Sequence, residues 1–163
     1  MSPDHKAKLE TFRTAPEDFA RALQSLPREM WQFKPSPERW SVHEIAVHIA
    51  DSEANSYIRF RKLIAEPGAP LLPYDQDRWA NTFQYHERSV EDYQALFGLL
   101  RKLSHDLLAA QPESVFANST THLEYGTMTL QWYFEYVIAH TPKHIGQMQR
   151  NYEAWKEAQG VRG

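Results

Sequence analysis

The sequence predicts an all-α protein that folds as a four-helix bundle with long connections. In four long segments, apolar residues recur at steps of three and four, the spacing that places them on one face of a helix. Two of these segments begin with a helix start signal, Ser41-Val-His-Glu44 and Ser89-Val-Glu-Asp92. Proline-containing stretches, rather than tight turns, separate the segments. Four amphipathic helices bury their apolar faces by packing against one another as a bundle.

The first helical segment covers roughly residues 4–26, and Pro16 interrupts it. Proline cannot donate the backbone hydrogen bond that continues a helix, but it suits the first turn of a new one. We therefore expect the long helix to begin at Thr14 or Ala15, with a short separate helix or an arm before it. Three prolines predict a loop over residues 27–40.

The second segment begins at Ser41 with a capping box, and we expect a helix from there to Ala65. His48 lies at the edge of its apolar stripe and is expected to face the bundle interior. A loop of some 20 residues follows, which is more often a binding or site-covering element than an idle linker. Its notable side chains are Tyr74, Asp75, Asp77, Arg78 and Trp79.

The third helix is predicted from Ser89 to about Gln111, where Pro112 stops it. Residues 113–128 are polar, contain β-branched residues and include a glycine near their end, which is compatible with a loop or a small hairpin. Thr129 is then expected to cap the last long helix, which runs from about Leu130 to Ala158.

Pro142 lies inside this last helical segment and removes the helical hydrogen bond to the carbonyl of Ile138. Two outcomes are compatible with it. The helix kinks between His140 and His144, or it ends there and a new helix begins with Thr141 as its cap.

Length and composition narrow the class of protein. A chain of 163 residues can bury a core of its own, so one domain is expected over residues 1–163. The net charge of −3 and the scattered basic residues argue against nucleic acid and anionic membranes as partners. The chain has no cysteine, which excludes disulfides and thiolate metal sites. It shows neither a signal peptide nor a long apolar run, so we expect a soluble cytoplasmic protein.

Two histidines stand four residues apart in the last segment, so a helix there places the imidazoles of His140 and His144 on one face. With His48 from the second helix, they would form a site of three nitrogens for a divalent metal ion. Imidazole ligands are compatible with zinc, nickel, iron and manganese. Asp51 and Gln147 are candidate hydrogen-bond partners for the other ring nitrogens. In the alternative interpretation, all three are hydrogen-bonded histidines of the bundle core.

The sequence identifies no catalytic side chain. In a metal site of this kind, the nucleophile would be water or a thiolate at the metal ion. The remaining histidines are expected at the surface or in loops, and they are His5, His43, His86, His105 and His122.

Three stretches occur in a characteristic order along the chain. They are residues 40–53 (WSVHEIAVHIADSE), the pairs Tyr74-Asp75 and Trp79-Ala80, and residues 140–147 (HTPKHIGQ). This order resembles the DinB/YfiT-like family of metal-dependent enzymes over nearly the whole chain. The resemblance implies a four-helix bundle in which His48, His140 and His144 bind a divalent metal, and it also implies a homodimer. We expect zinc or nickel ahead of iron or manganese.

The resemblance further implies an enzyme acting on a small-molecule substrate, either a hydrolase or an S-transferase of a low-molecular-weight thiol. The family includes bacillithiol transferases and mycothiol-dependent isomerases. A carboxylate near the metal would favour hydrolysis, whereas a cavity lined by Arg59, Arg78 or Lys143 would favour an acidic thiol. The alternative from another class is a non-catalytic metal-binding or ligand-sensing stress-response bundle.

Overall fold

The computed structural model describes residues 2–160 and gives a helical bundle with one small antiparallel hairpin. The predicted all-α class and four-helix architecture are confirmed. The four long helices are α1 (Pro3–Gln24), α2 (Val42–Ala65), α4 (Val90–Ala109) and α5 (Leu130–Ala158), and a short helix, α3 (Gln76–Thr82), lies between α2 and α4. The hairpin pairs β1 (Ser119–His122) with β2 (Gly126–Thr129) immediately before α5.

Helix α1 continues through Pro16, so the predicted helix start at Thr14 or Ala15 is wrong. Pro16 leaves the carbonyl of Phe12 without its helical donor. Arg101 on α4 supplies a replacement, because its Nη1 donates to that carbonyl at 3.0 Å. A tertiary contact thus compensates for the proline and keeps the helix in one piece.

Helix α2 begins and ends where the sequence predicts. The Ser41 hydroxyl accepts from the amide of Glu44 at 3.1 Å, and the Glu44 carboxylate accepts from the amide of Ser41 at 2.8 Å. This reciprocal pair is the predicted capping box. It fixes the first turn of α2. His48 follows in the next turn and faces the bundle interior, where its ring is fully buried.

The connection between α2 and α4 is more ordered than the predicted loop. Asp75 caps α3 by accepting from the amide of Arg78 at 2.9 Å, and a 3₁₀ turn follows at Tyr85–Glu87. The sequence signal was weak because Arg78, at the third helical position, is not the glutamate or glutamine that completes a capping box. The amide of Leu71 donates to the carbonyl of Thr121 at 3.1 Å, which ties this connection to the hairpin.

Helix α5 also continues through its proline, so the alternative of a break at Pro142 is wrong. Thr129 caps it as predicted by accepting from the amide of Trp132 at 3.1 Å. The Thr141 hydroxyl, the cap of the rejected alternative, is buried and has no hydrogen-bond partner among residues 2–160. His140 and His144 therefore sit on one uninterrupted helix.

A buried ion pair crosses the apolar core. The Glu53 carboxylate on α2 accepts two hydrogen bonds from Arg101 on α4, from Nε at 2.9 Å and from Nη2 at 2.7 Å. Both side chains are essentially inaccessible to solvent, at 2% and 1% exposure. Together with the bond to Phe12, this pair connects α2, α4 and α1 in the core.

None of the helices over residues 2–160 is long and apolar enough to cross a membrane.

Candidate metal centre

His48 lies on the inner face of α2 and is the most deeply buried member of the site. Its ring has no solvent exposure and packs against the indole of Trp40, with 4.4 Å between ring centroids. Neither of its ring nitrogens has a hydrogen-bond partner in the described part of the chain. Buried polar atoms are nearly always paired, so two unpaired nitrogens on one ring call for a ligand.

His140 and His144 approach the same point from α5. Their Nε2 atoms lie 3.0 Å apart, because one helical turn separates the two residues. Gln147 lies a further turn along, and its side-chain oxygen is 3.0 Å from Nδ1 of His144. An amide oxygen only accepts, so Nδ1 of His144 carries the hydrogen and its Nε2 presents a lone pair towards His140.

The structure brings the three predicted histidines together. One ring nitrogen from each of His48, His140 and His144 lies within 4.8 Å of the others. The ring of His48 is 5.6 Å from that of His140 and 4.9 Å from that of His144, measured between centroids. A cation between these nitrogens would give the unpaired ring of His48 a partner, and three imidazole nitrogens are a ligand set that a divalent metal accepts, so the residues present fit a metal ion.

Burial keeps all three rings neutral. It holds the pKa of His48 and of His140 well below the ordinary value for histidine, and the neighbouring imidazoles and Lys143 lower both further. Burial also lowers the pKa of His144 to about 4, although its hydrogen bond to Gln147 opposes the change. Neutral imidazole is the form that binds a metal. The site is therefore ready to accept a cation at neutral pH.

The two predicted hydrogen-bond partners differ in where the structure places them. Gln147 contacts His144 as described, but Asp51 does not contact the ring nitrogens of His48. The Asp51 carboxylate instead accepts from the hydroxyl of Tyr85 at 2.5 Å. Burial raises the pKa of Asp51, and this hydrogen bond opposes the rise. Tyr85 follows α3 in a connection whose fold the sequence did not reveal, so its role was missed.

A cavity of about 640 Å³ opens on the α5 side of the site. His140 and His144 form part of its wall, whereas His48 lies behind them. Several polar residues noted in the sequence line it, namely Arg59, Tyr74, Asp75, Asp77 and Lys143, together with Tyr133 and Tyr136 of α5. Arg78 and Trp79 do not line this cavity; Trp79 borders a smaller apolar groove of about 500 Å³ instead.

The hairpin supplies two residues of the cavity that the sequence analysis did not identify, Glu124 and Tyr125. Their backbone amides donate to Nδ1 of His122 at 3.1 and 3.4 Å. Gly126 follows at a positive φ of 71°, which lets the chain turn back into β2. The Tyr-Gly dipeptide was the available signal for this turn.

Two histidines expected at the surface are buried. His122, the last residue of β1, is buried, and its ring stacks on Tyr125 with 4.8 Å between centroids. His5 packs against the rings of Phe116 and Phe134, at 4.2 and 5.7 Å. The prediction was wrong because His5 is brought inside by long-range packing and His122 by the turn of the hairpin, and neither has a periodic sequence pattern.

Comparison with known proteins connects these features to a family. The model of the DinB superfamily matches residues 11–148. A protein from Oceanobacillus iheyensis named "Putative metal-dependent hydrolase" is 30% identical over 111 residues, which cover 62% of each chain. A protein of the same name from Bacillus mycoides is 29% identical over 72 residues, 44% of this chain and 42% of that protein. This chain thus spans less than two thirds of either relative.

The fold has a solved counterpart. YfiT from Bacillus subtilis, described as a probable metal-dependent hydrolase with an unusual four-helix bundle topology, superposes with a TM-score of 0.86. The superposition covers 99% of this chain and 91% of YfiT, at 20% sequence identity. At that identity the similarity shows the fold alone.

Proposed function

This chain belongs to the DinB superfamily, and from that premise we propose that it is a metal-dependent hydrolase of a small-molecule substrate. The observation that carries the proposal is the state of His48, which is fully buried with both ring nitrogens unpaired among the described residues. Each unpaired buried polar atom costs about 1–3 kcal/mol. A divalent ion shared with His140 and His144 removes part of that cost.

The donor set determines what the site can hold and do. Three imidazole nitrogens suit zinc or nickel, and iron or manganese are also compatible with them. Three protein ligands leave coordination positions open, which is typical of catalytic rather than structural sites. When bound there, the divalent ion supplies a Lewis acid that stabilises an anionic nucleophile at neutral pH.

Residues of the protein orient the histidines and line the cavity in which the reaction would take place. Gln147 holds the hydrogen on Nδ1 of His144 and so turns the Nε2 lone pair inward. The cavity admits substrate along the α5 side, next to His140. The carboxylates of Asp75 and Asp77 line the same cavity, and a carboxylate there favours proton acceptance during hydrolysis.

Thiol transfer is the second candidate reaction, and one observation favours it. Two of the three cations that would favour an acidic thiol, Arg59 and Lys143, do line the cavity, although Arg78 does not. Hydrolysis remains the leading proposal because the named relatives are described as metal-dependent hydrolases. A non-catalytic metal-binding bundle is the alternative from another class.

The proposal also includes a homodimer. The outer face of α4 exposes three leucines at helical spacing, Leu96, Leu99 and Leu103, which are 38%, 56% and 39% accessible. A second copy is the occupant that we infer for this stripe, because identical stripes complement each other across a two-fold axis.

The metal proposal is tested by elemental analysis of protein purified without an affinity tag or added metal. The matched samples are wild type, a His140→Ala/His144→Ala double variant, and His86→Ala as an exposed histidine control. We expect close to one divalent ion per chain in wild type and His86→Ala, and none in the double variant. No metal in wild type, even after reconstitution with zinc, nickel, iron and manganese under reducing conditions, would contradict the proposal.

The reaction is tested on the metal-loaded protein with a panel of esters, amides and electrophiles, the latter with and without a small thiol. Turnover of esters or amides without thiol supports hydrolysis, whereas turnover that requires the thiol supports transfer. Metal binding with no turnover of any class, in wild type and at all metals tested, would favour the non-catalytic bundle.

A further inference from the structure

Arg59 is a cation in the cavity wall that forms no ion pair within residues 2–160. Its Nη2 donates to the carbonyl of Leu72 at 2.8 Å, which holds the guanidinium in place. Within residues 2–160, no carboxylate lies within 4.0 Å of its nitrogens. The contrast is with Arg101, which is fully paired with Glu53 in the core. A fixed, half-buried and unpaired guanidinium is suited to bind an anionic group.

Arg59 lies on the same face of α2 as His48. Eleven residues separate the two, which corresponds to about three helical turns, an axial distance of about 16 Å and an angular offset of about 20°. Ser52 and Ser56 lie between them and line the cavity. Because long side chains in a helix lean towards its N-terminus, the guanidinium lies closer to the histidines than this axial distance.

A row of aromatic rings joins Arg59 to the histidines along α5. The Arg59 guanidinium carbon is 5.9 Å from the ring centroid of Tyr133. The Tyr133 and Tyr136 rings are stacked at 6.1 Å, and the Tyr136 and His140 rings at 6.2 Å. The ring of Tyr125 from the hairpin packs against the ring of Tyr136, with 5.8 Å between centroids. The wall between the cation and the histidines therefore suits a planar or apolar linking group.

Building on the proposed function, we infer that Arg59 anchors a carboxylate of the substrate while the reacting group lies at the three histidines. The substrate class is an organic acid whose carboxylate stands less than about 16 Å from the reacting bond, with a planar or apolar part between them. A carboxylate fits the guanidinium because the two can form paired hydrogen bonds in one plane. Arg59 is thus a specificity-determining residue rather than a proton donor.

The test measures binding, with no need for turnover. Straight-chain dicarboxylates from glutarate to sebacate are titrated calorimetrically into metal-loaded wild type, each beside the monocarboxylate of equal length. One carboxylate is expected to occupy the metal side and the other to reach Arg59, so affinity passes through a maximum along the dicarboxylate series only. Arg59→Met is expected to weaken the best dicarboxylate at least about tenfold and to leave the monocarboxylates unchanged.

Two further variants sharpen the comparison. Arg59→Lys keeps the charge and is expected to recover part of the affinity. Lys62→Met removes a neighbouring cation that lines the apolar groove but not the main cavity, and it is expected to bind the series as wild type does.

Equal affinities of wild type and Arg59→Met for the dicarboxylates, or no binding of any member by wild type, would overturn the inference. Metal content measured on the same samples separates this result from failure of the proposed function. Close to one ion per chain with no effect of Arg59 refutes the anchor alone, whereas an absent metal refutes both.

Discussion

Arg101 donates from Nη1 to the carbonyl of Phe12, the carbonyl that Pro16 deprives of its helical donor. The same guanidinium forms two hydrogen bonds with Glu53 and lies 4.0 Å from the ring centroid of Phe12. One buried side chain therefore closes a gap in α1 and balances a charge on α2.

Arg101→Met is expected to lower the free energy of unfolding by about 3–5 kcal/mol, because it leaves the Glu53 carboxylate buried and unpaired. Urea unfolding measures the change, with Arg13→Met on the exposed face of α1 as a control expected to fall within about 0.5 kcal/mol of wild type. In a Pro16→Ala background, where an amide can again reach the Phe12 carbonyl, the cost is expected to fall by about 1 kcal/mol. An identical cost in both backgrounds would contradict the role assigned to the Phe12 contact.

The two prolines explain the main limits of prediction from sequence. Capping signals at Ser41 and Thr129 were local, and they located α2 and α5 correctly. Whether Pro16 breaks a helix depends on a donor from Arg101, 85 positions along the chain, and local sequence does not contain that information. The histidines of the candidate site were identifiable because helix spacing and family resemblance agreed. The cavity residues Tyr125 and Glu124 depend on how the hairpin packs, and no periodic pattern marks them.

His48→Leu is expected to separate metal binding from stability. Leucine fills a similar volume without the two unpaired nitrogens, so the metal-free variant is expected to be as stable as metal-free wild type or up to about 3 kcal/mol more stable. Its metal content is expected to fall to background. Urea unfolding with chelator present and elemental analysis give the two readings. A large loss of stability without metal would instead support a structural histidine.

Gln147→Leu is expected to weaken metal binding about 10- to 100-fold, because Nδ1 of His144 loses the acceptor that fixes its hydrogen and its ring orientation. Competition with a coloured chelator measures the affinity. Gln131→Leu is the matched control, since Gln131 lies half-buried on the same helix, away from the site, and its side chain bonds to Glu135. Equal metal affinities for the two variants would show that Gln147 does not contribute to metal binding.

Metal-free protein is expected to lose stability as the pH falls below about 6.5, the pKa of histidine in an unfolded chain. The pKa of each site histidine is lower in the folded protein, so the unfolded chain takes up protons first. The loss continues down to about pH 4, the folded pKa of His144, at about 1.4 kcal/mol per pH unit for each histidine. Urea unfolding between pH 7.5 and 5 is expected to show a shallower slope for the His140→Ala/His144→Ala variant. Equal slopes would show that these rings are not the groups that titrate.

Leu99→Glu is expected to convert a dimer to a monomer. Leu99 lies between Leu96 and Leu103 on α4 and is the most exposed of the three, so a carboxylate there faces its own copy across a two-fold axis. Light scattering coupled to size exclusion gives the mass, which is expected near 38 kDa for wild type, twice the 19.1 kDa of one chain, and near 19.1 kDa for the variant. Leu123→Glu, on the exposed hairpin, is the control and is expected to remain dimeric. A monomeric wild type, or a dimer that Leu99→Glu does not disturb, would show that the α4 stripe is not the dimer interface.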